Sequence, residues 1–220
     1  MDYDAVSHFH QPPGGYRFSA DSIHLARFAD LRGVRKAADL GAGCGVLGLA
    51  ALEMSPAAAV DDFFFVELQE DLAASLALNL GLYQAGSRAR LKMLAADWRH
   101  LTAEDFGGPL DYVLSNPPYA PPGLGRPSPR PGVEAARREI YGSLADLLAA
   151  LGRIVGPGGR AALSLPARRR AEFLRLCAAA GWRPGRRETI QYLPGGLKEL
   201  DLWELGPVKP EDAEKSRRRA

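Results

Sequence analysis

The chain is poor in cysteine and lacks long apolar runs. Its two cysteines, Cys44 and Cys177, stand 133 positions apart, a spacing that fits neither a zinc site nor a dense disulfide framework. No apolar run reaches the roughly 18 residues that a membrane-spanning helix needs. The N-terminus begins Met-Asp-Tyr-Asp, and no apolar stretch of a secretory signal follows it. The sequence therefore predicts a protein of a reducing compartment, the cytoplasm, with no metal and no membrane as partner.

The composition is that of an ordinary globular protein. Hydrophobic residues make up 46% of the 220 positions and charged residues 25%, which excludes wholesale disorder, collagen and coiled coil. At roughly 150 residues per domain, the length predicts one domain with additional segments. We expect a monomer or a weak dimer.

Charge is divided unevenly along the chain, although its net value is only +2. Residues 1–119 hold 9 Lys and Arg against 15 Asp and Glu, a net charge of −6, whereas residues 120–220 hold 19 against 11, a net charge of +8. A basic half suits an anionic polymer such as a nucleic acid. Codon bias in a chain rich in Ala, Gly and Arg would produce the same asymmetry, so both explanations stay open.

Short apolar runs alternate with helical stretches along most of the chain. Strands are predicted at 35–39, 63–67, 90–96, 111–115, 160–165, 188–192 and 199–205, and helices at 45–54, 70–82, 139–155 and 167–180. Such alternation predicts an α/β fold with a mostly parallel sheet, helices on both faces and a terminal hairpin. We predict that Gly156-Pro-Gly-Gly159 stops the long helix, that Ala120–Pro131 is a loop and that Lys209–Ala220 is a disordered tail.

A glycine-rich turn lies between the first of these strands and the following helix. It reads Asp39-Leu-Gly-Ala-Gly-Cys-Gly45, and glycines there let the backbone turn tightly against a ligand at the helix N-terminus. Glu67 follows Gly45 by 22 residues and ends the second strand, where an acid can hold a ribose diol. The pattern favours a nucleoside-containing cofactor over a tight turn that binds nothing.

The identity of that cofactor depends on Asp39. The run Gly43-Cys-Gly-Val-Leu-Gly48 fits the dinucleotide fingerprint, so NAD is one possibility. A carboxylate just before the first glycine would repel a pyrophosphate, but it suits a ligand that carries an ammonium group, such as S-adenosylmethionine (SAM). Asp97, after the third strand, can accept from an adenine amine; the alternative is a helix N-cap.

Asn116-Pro-Pro-Tyr119 follows the fourth strand. Two prolines remove two N–H donors, which leaves nearby carbonyls free to accept, and Asn116 adds a side-chain oxygen. Together these acceptors can hold both hydrogens of a planar NH2 group, while Tyr119 offers a face for stacking. Hydrogen bonds to the departing protons would stabilise a nitrogen that gains positive charge as a methyl group arrives. An ordinary strand-ending turn is the alternative.

These motifs, in this order, resemble those of the class I SAM-dependent methyltransferases that act on amino nitrogens. Finer features resemble the bacterial tRNA-valine adenine-N6 methyltransferase family. They are Gln11-Pro12, Gly15-Tyr-Arg-Phe-Ser-Ala-Asp21, Gly123 with Arg126, and Ala136-Arg-Arg-Glu139. Members commonly have His where this chain has Arg138. The resemblance implies a Rossmann-like sheet of seven strands, mostly parallel, with an antiparallel terminal strand. It also implies a capping segment at 1–33 and a methyltransferase domain at 34–207, followed by the basic tail at 208–220.

The resemblance also assigns residue roles. Tyr16, Arg17 and Phe18 would close over the methionine end of SAM, near Asp21. The remaining cofactor residues would be Asp39, Gly41, Ala42, Gly43, Gly45, Glu67, Leu68, Asp97, Trp98 and Asn116. Asn116, Pro117, Pro118 and Tyr119 would form the catalytic turn, in which Asn116 and Pro117 bind the target amine and Tyr119 stacks on it.

The expected substrate is RNA, most simply tRNA. Arg126, Arg130, Arg137 and Arg138 would lie where phosphates approach, and a flipped adenine would stack on Tyr119. Three alternatives remain at this stage: protein glutamine-N5 methylation of the release-factor type, methylation of small-molecule or DNA amines, and a SAM-binding module without catalysis. The release-factor enzymes usually carry a separate helical domain at the N-terminus, for which the residues before the first strand are too few.

Overall fold

The computed structural model describes residues 9–12, 18, 20–83, 88–117, 142–192 and 198–208. The predicted loop at 120–131 and the predicted tail at 209–220 lie outside the described residues. The strands are β1 (Lys36–Leu40), β2 (Asp62–Glu67), β3 (Arg90–Ala95), β4 (Leu110–Ser115), β5 (Val155–Pro166), β6 (Trp182–Tyr192) and β7 (Lys198–Pro207). The α-helices are α1 (Ala20–Phe28), α2 (Val46–Glu53), α3 (Glu70–Leu82), α4 (Leu144–Ile154) and α5 (Arg170–Ala179).

The strands form one sheet in the order β3-β2-β1-β4-β5-β7-β6. Neighbouring strands from β1 to β5 pair in parallel, and β7 is antiparallel to both β5 and β6. This architecture confirms the predicted α/β fold, its seven strands and the terminal hairpin. Strands β2 and β3 extend the sheet on one side of β1, and β4 and β5 extend it on the other. The strand order therefore reverses beside β1, which is where ligands bind in such sheets.

Alternating side chains of the strands build two hydrophobic layers. Phe63 and Phe65 pack with α1, α2 and α3 on one face of the sheet, whereas Phe64 packs with α4 and α5 on the other. Strands buried on both faces carry continuous apolar runs, which is why 63–66 is uniformly apolar. The carboxyl ends of the parallel strands are thereby held at one edge of a rigid sheet.

Helix α1 was not among the predicted elements. It packs against α2 and buries Ile23, Leu25 and Phe28 in the same layer as Phe63 and Phe65. The short length of α1, nine residues, leaves too few turns for a clear helical period. Its position is therefore set by tertiary contacts.

Several predicted boundaries differ from the structure. Helix α4 begins at Leu144, five residues after the predicted start, because Ser143 and Asp146 form a capping box and Gly142 has a φ of +155°. The prediction that Gly156–Gly159 stops the long helix is confirmed, since α4 ends at Ile154. However, β5 already begins at Val155, so the run lies within that strand. Leu110 of β4 pairs with Val155 of β5, and the next pair is Tyr112 with Arg160. The chain advances two residues in β4 but five in β5 between these pairs, so the extra residues of β5, which include the glycines, form a bulge.

The other strand boundaries shift by a few residues, and β6 begins six residues before its predicted start. The predicted helix at 167–180 divides into a 3₁₀ turn, Ala167–Arg169, followed by α5. None of the helices in the described part of the chain is long and apolar enough to cross a bilayer.

Candidate active site

A cleft opens at the carboxyl ends of β1, β2 and β4. Ten of the predicted site residues line it: Phe18, Gly41, Ala42, Gly43, Glu67, Leu68, Asp97, Trp98, Asn116 and Pro117. Asp39 and Gly45 are near but do not line it. Tyr16, Arg17, Pro118, Tyr119, Arg126, Arg130, Arg137 and Arg138 lie outside the described residues. The structure therefore brings the glycine turn, Glu67 and the first half of Asn-Pro-Pro-Tyr to one place.

The glycine turn alternates between left-handed and ordinary backbone. Gly41, Gly43 and Gly45 have φ values of +72°, +59° and +89°, a region that residues with a Cβ rarely adopt. A Cβ at Gly45 would also lie 2.7 Å from Leu76 Cδ1, so the buried Leu76 side chain would have to shift to accommodate it. The backbone N–H groups of Gly41 and Ala42 both donate to the carbonyl of Val66, at 3.0 and 2.9 Å. The turn is thus tied to the end of β2.

Glu67 is buried and joins the glycine turn to the start of α3. Its Oε2 accepts from Gly43 N at 2.8 Å, and its Oε1 accepts from Gln69 N at 2.8 Å. Burial raises the pKa of the Glu67 carboxyl, and the backbone N–H donors oppose that shift. Each carboxylate oxygen has two lone pairs, so the same group that orders the turn can also accept from hydroxyls in the cleft.

Asp39 lies fully buried at the base of the turn rather than on the cleft surface. Its Oδ2 accepts from Gly48 N at 2.9 Å, which satisfies one N–H of the first turn of α2. Its Oδ1 has no hydrogen-bond partner among the described residues. Burial raises the pKa of Asp39 to about 7, and the nearby Glu67 carboxylate contributes in the same direction. A buried carboxylate with an unpaired oxygen is stabilised by a nearby cation.

This raised pKa predicts a pH-dependent stability. In the unfolded chain Asp39 titrates near its ordinary value, about 4, so between there and pH 7 the folded protein binds more protons than the unfolded one. The free energy of unfolding should then fall as pH rises through this window. Asp39→Asn keeps an acceptor for Gly48 N but does not titrate. In urea denaturation between pH 5 and pH 8, its free energy of unfolding should therefore fall less than that of the parent. Equal falls in parent and variant would contradict the assignment.

Asp97 and Trp98, which are predicted from the sequence to lie beside the adenine of the cofactor, both line the cleft. The Asp97 carboxylate accepts from Arg99 N at 2.9 Å and from the Arg99 guanidinium at 2.6 to 3.0 Å, and this pairing lowers its pKa. The N-cap alternative is therefore observed, while an adenine contact stays a prediction. Gly142 lies against the Trp98 ring so closely that a Cβ would approach Cη2 to 2.5 Å.

Asn116 follows the end of β4 and faces the cleft beside Pro117. Its Oδ1 accepts from Ser164 Oγ at 2.5 Å, and its Nδ2 donates to Ser22 Oγ at 3.1 Å. Neighbouring Ser115 donates to the carbonyl of Leu40 at 2.8 Å, which ties β4 to β1 below the glycine turn. The residue just before the predicted transfer turn is thus bonded to the predicted cofactor turn.

Sequence reasoning missed three polar residues that support these turns: Ser22, Asn79 and Ser164. Asn79, buried in α3, donates through Nδ2 to the carbonyls of Cys44 at 2.7 Å and His10 at 2.9 Å, and its Oδ1 accepts from His10 N at 2.7 Å. It therefore ties residues 9–12 to the glycine turn. A lone Asn or Ser in a helix or strand carries no motif, so the sequence offers no signal for them.

The chemistry of the cleft fits SAM and does not fit a dinucleotide. The described lining residues include the acids Glu67 and Asp97 and no Lys or Arg, which suits a cationic ligand and disfavours a pyrophosphate. Two N–H groups that could bind a pyrophosphate are already used within the protein, since Gly43 N bonds to Glu67 and Gly48 N to Asp39. Among the described residues, no group of three or more His, Cys, Asp or Glu side chains could hold a metal ion.

Comparisons with known proteins agree with this assignment. Residues 20–123 match the family model "Methyltransferase small domain". A tRNA1(Val) (adenine(37)-N6)-methyltransferase of Shewanella putrefaciens is 32% identical over 154 residues, which cover 69% of this chain and 61% of that protein. The protein of the same name from Tolumonas auensis is 28% identical over 94% of this chain and 83% of its own length.

Two solved structures share the fold. A protein of Pyrococcus horikoshii that has been assigned to the RNA methyltransferases superposes with a TM-score of 0.65 at 20% identity, over 94% of this chain and 96% of that one. The magnesium protoporphyrin IX methyltransferase of Synechocystis, determined with bound SAM, superposes with a TM-score of 0.54 at 14% identity, over 86% and 76% of the two chains.

In its fold and in the family model that it matches, the chain is similar to the class I SAM-dependent methyltransferases, and its cleft fits their cofactor. Within that class its sequence is similar to the bacterial tRNA1(Val) (adenine(37)-N6)-methyltransferases, which confirms the resemblance noted above. The chain spans about three fifths of the length of the Shewanella putrefaciens relative.

Proposed function

We propose that the protein transfers a methyl group from SAM to the N6 amine of an adenine in RNA, and that this RNA is a tRNA in the cytoplasm. The observation that carries the proposal is the position of Asn116, whose carboxamide lies at the edge of the cleft that holds the glycine turn and Glu67. An amide oxygen there can accept from an amine while the amine nitrogen faces the cofactor. The names of the relatives support adenine N6 and tRNA as the target.

The chain's own residues supply binding and orientation. Bound SAM supplies an electrophilic methyl group, and Glu67 would hold its ribose while the glycine turn contacts its methionine portion. Asn116 Oδ1 and the Pro117 carbonyl would accept from the two hydrogens of the target amine. These acceptors stabilise the amine most when its nitrogen becomes positive, so their effect grows toward the transition state. Tyr119 would stack on the adenine.

The basic half of the chain supports an RNA substrate. Residues 120–220 carry a net charge of +8, and Arg126, Arg130, Arg137 and Arg138 follow the transfer turn within about 20 residues. Arginine pairs bidentately with phosphate oxygens, and such contacts orient RNA without reading its sequence. We propose these four residues as phosphate contacts.

The test is a methyl-transfer assay with the intact protein. Total tRNA and total cell protein are each incubated with radiolabelled SAM, and the labelled tRNA is digested for nucleoside mass spectrometry. The proposal predicts label in tRNA as N6-methyladenosine. Label in protein glutamine instead would indicate the release-factor type of reaction, and SAM binding without transfer to either pool would indicate a binding module. Both results would contradict the proposal.

RNA binding should depend on salt through the proposed phosphate contacts. Each lost contact should lower the slope of log K against log salt by about 0.7–0.9. Reversing the charge at Arg126 and Arg138 should therefore reduce the slope by roughly 1.5 and weaken tRNA binding in filter binding or fluorescence anisotropy. The matched control reverses Arg32, an exposed arginine paired with Asp30 at the opposite end of α1 from Ser22. An unchanged slope in the double variant would remove these two arginines from the RNA site.

A further inference from the structure

The carboxamide of Asn116 is held at both ends by serine hydroxyls. Ser164 of β5 donates to Oδ1 at 2.5 Å, and Ser22 of α1 accepts from Nδ2 at 3.1 Å. Both serines are buried. We propose that Ser22 and Ser164 are positioning residues that hold the Asn116 carboxamide in the plane from which its oxygen accepts from the target amine. The proposal rests on the amino-methylation function given above.

The physical reason lies in the side-chain torsion of asparagine. Rotation about χ2 of Asn is broad, with no sharp staggered minimum, so the backbone alone does not orient the amide. A hydrogen bond at one end leaves the amide free to swing about that bond. Bonds at both ends, from two different elements, restrict rotation and keep the oxygen in place. Such placement matters because an error of about 1 Å in a reacting geometry can lower turnover by about 10²-fold.

Ser164 is fixed by the register of the sheet. Ser115 of β4 pairs with Leu163 of β5, so the next residues along the two strands are Asn116 and Ser164. On its other side β5 pairs with β7, where Ser164 stands opposite Leu202. Because β5 is bonded on both edges, the Ser164 backbone cannot move away from the end of β4 without breaking the sheet.

Ser22 lies at the start of α1, and the residues that follow the other end of this helix are also held against the sheet, which fixes the position of the helix. Tyr112, four residues before Asn116, accepts from Asp30 N at 3.3 Å, and Arg160 donates to the carbonyl of Asp30 at 3.1 Å. Arg186 of β6 donates to the carbonyl of Phe28 and lies over its ring. The residues that follow α1 are thus held near one end of β4, and Ser22 holds the start of α1 near the other.

Kinetics of serine variants test the proposal. In the double variant Ser22→Ala/Ser164→Ala we expect kcat to fall by about 10- to 100-fold, while KM for the nucleic acid and the Kd for SAM change by less than about threefold. Ser22→Thr keeps the hydroxyl and should stay near the parent. Ser75→Ala is the matched control, since Ser75 is also a buried serine, but its hydroxyl donates to the Asp71 carbonyl in α3.

A mutant cycle separates positioning from a general structural effect. If the serines act through Asn116, replacing them in an Asn116→Ala background should cause no further loss of kcat, because groups that act as one unit are not additive. An additive loss would overturn the proposal, and so would an unchanged kcat in a folded double-serine variant.

A spectroscopic experiment tests the proposal without measuring methyl transfer. The Asn116 side-chain NH2 resonances, assigned by their disappearance in Asn116→Ala, should exchange with solvent at least about tenfold faster in the double-serine variant, as expected when a buried hydrogen bond is lost. Equal exchange rates would overturn the proposal. If the parent methylates neither tRNA nor protein, the proposed function fails on its own, and the exchange rates still decide whether the serines hold the amide.

Discussion

Asn116→Ala is expected to lower kcat for methyl transfer by about 10²-fold or more, by analogy with removing one group that stabilises developing charge. The amide oxygen lies at the cleft edge and is oriented by Ser164, so its contribution should appear mainly as the amine becomes positive. The glycine turn and Glu67 are untouched, and SAM affinity should stay close to that of the parent. Single-turnover transfer to tRNA and SAM titration calorimetry measure the two quantities.

Asn116→Asp is the companion variant and should retain part of the activity. A carboxylate still accepts from the Ser164 hydroxyl and from the target amine, but it cannot donate to Ser22 as Nδ2 does. The Ser22 hydroxyl can instead turn and donate to the new oxygen. A folded Asn116→Ala protein with full transfer to tRNA would contradict the active-site assignment, whatever the behaviour of Asn116→Asp.

The parts of the fold that the sequence predicts are those where local pattern and burial agree. The run 63–66 is apolar because both faces of β2 are covered, and it is followed by an acid, Glu67, that lines the cleft. The glycine turn was recognisable because each of Gly41, Gly43 and Gly45 needs a left-handed backbone. Glu67 lies beside this turn and accepts from Gly43 N; its predicted ribose contact stays a prediction.

The parts that could not be predicted depend on tertiary contacts. The run 156–159 contains three glycines and a proline, a strong local breaker, yet pairing of Val155 with Leu110 starts β5 before it and leaves the run as a bulge. Asp39 was expected at the ligand, but the carboxylate turns inward to Gly48 N. Ser22 and Ser164 are ordinary in sequence and become specific only when α1 and β5 meet at Asn116.

The second large effect is expected for Glu67→Ala. Loss of charge-assisted bonds to two ribose hydroxyls should cost about 1.5–3 kcal/mol, which corresponds to a roughly 10- to 150-fold weaker Kd for SAM. The structure adds a second consequence, because Gly43 N and Gln69 N both lose their carboxylate acceptor. Leaving buried donors unpaired costs about 1–3 kcal/mol, so the free energy of unfolding should also fall. Titration calorimetry and urea denaturation measure the two effects separately.

Asp62→Ala is the matched control, since Asp62 is the other buried acid of β2 and lies at the opposite end of that strand. Its carboxylate pairs with Arg90 and Lys92, and these pairs lower its pKa. Replacing Asp62 should lower the free energy of unfolding without weakening SAM binding, because Asp62 does not line the cleft. The comparison separates general loosening of β2 from loss of a cofactor contact. A folded Glu67→Ala protein that binds SAM as tightly as the Asp62→Ala control would remove Glu67 from the ribose site and leave it the single role of ordering the glycine turn.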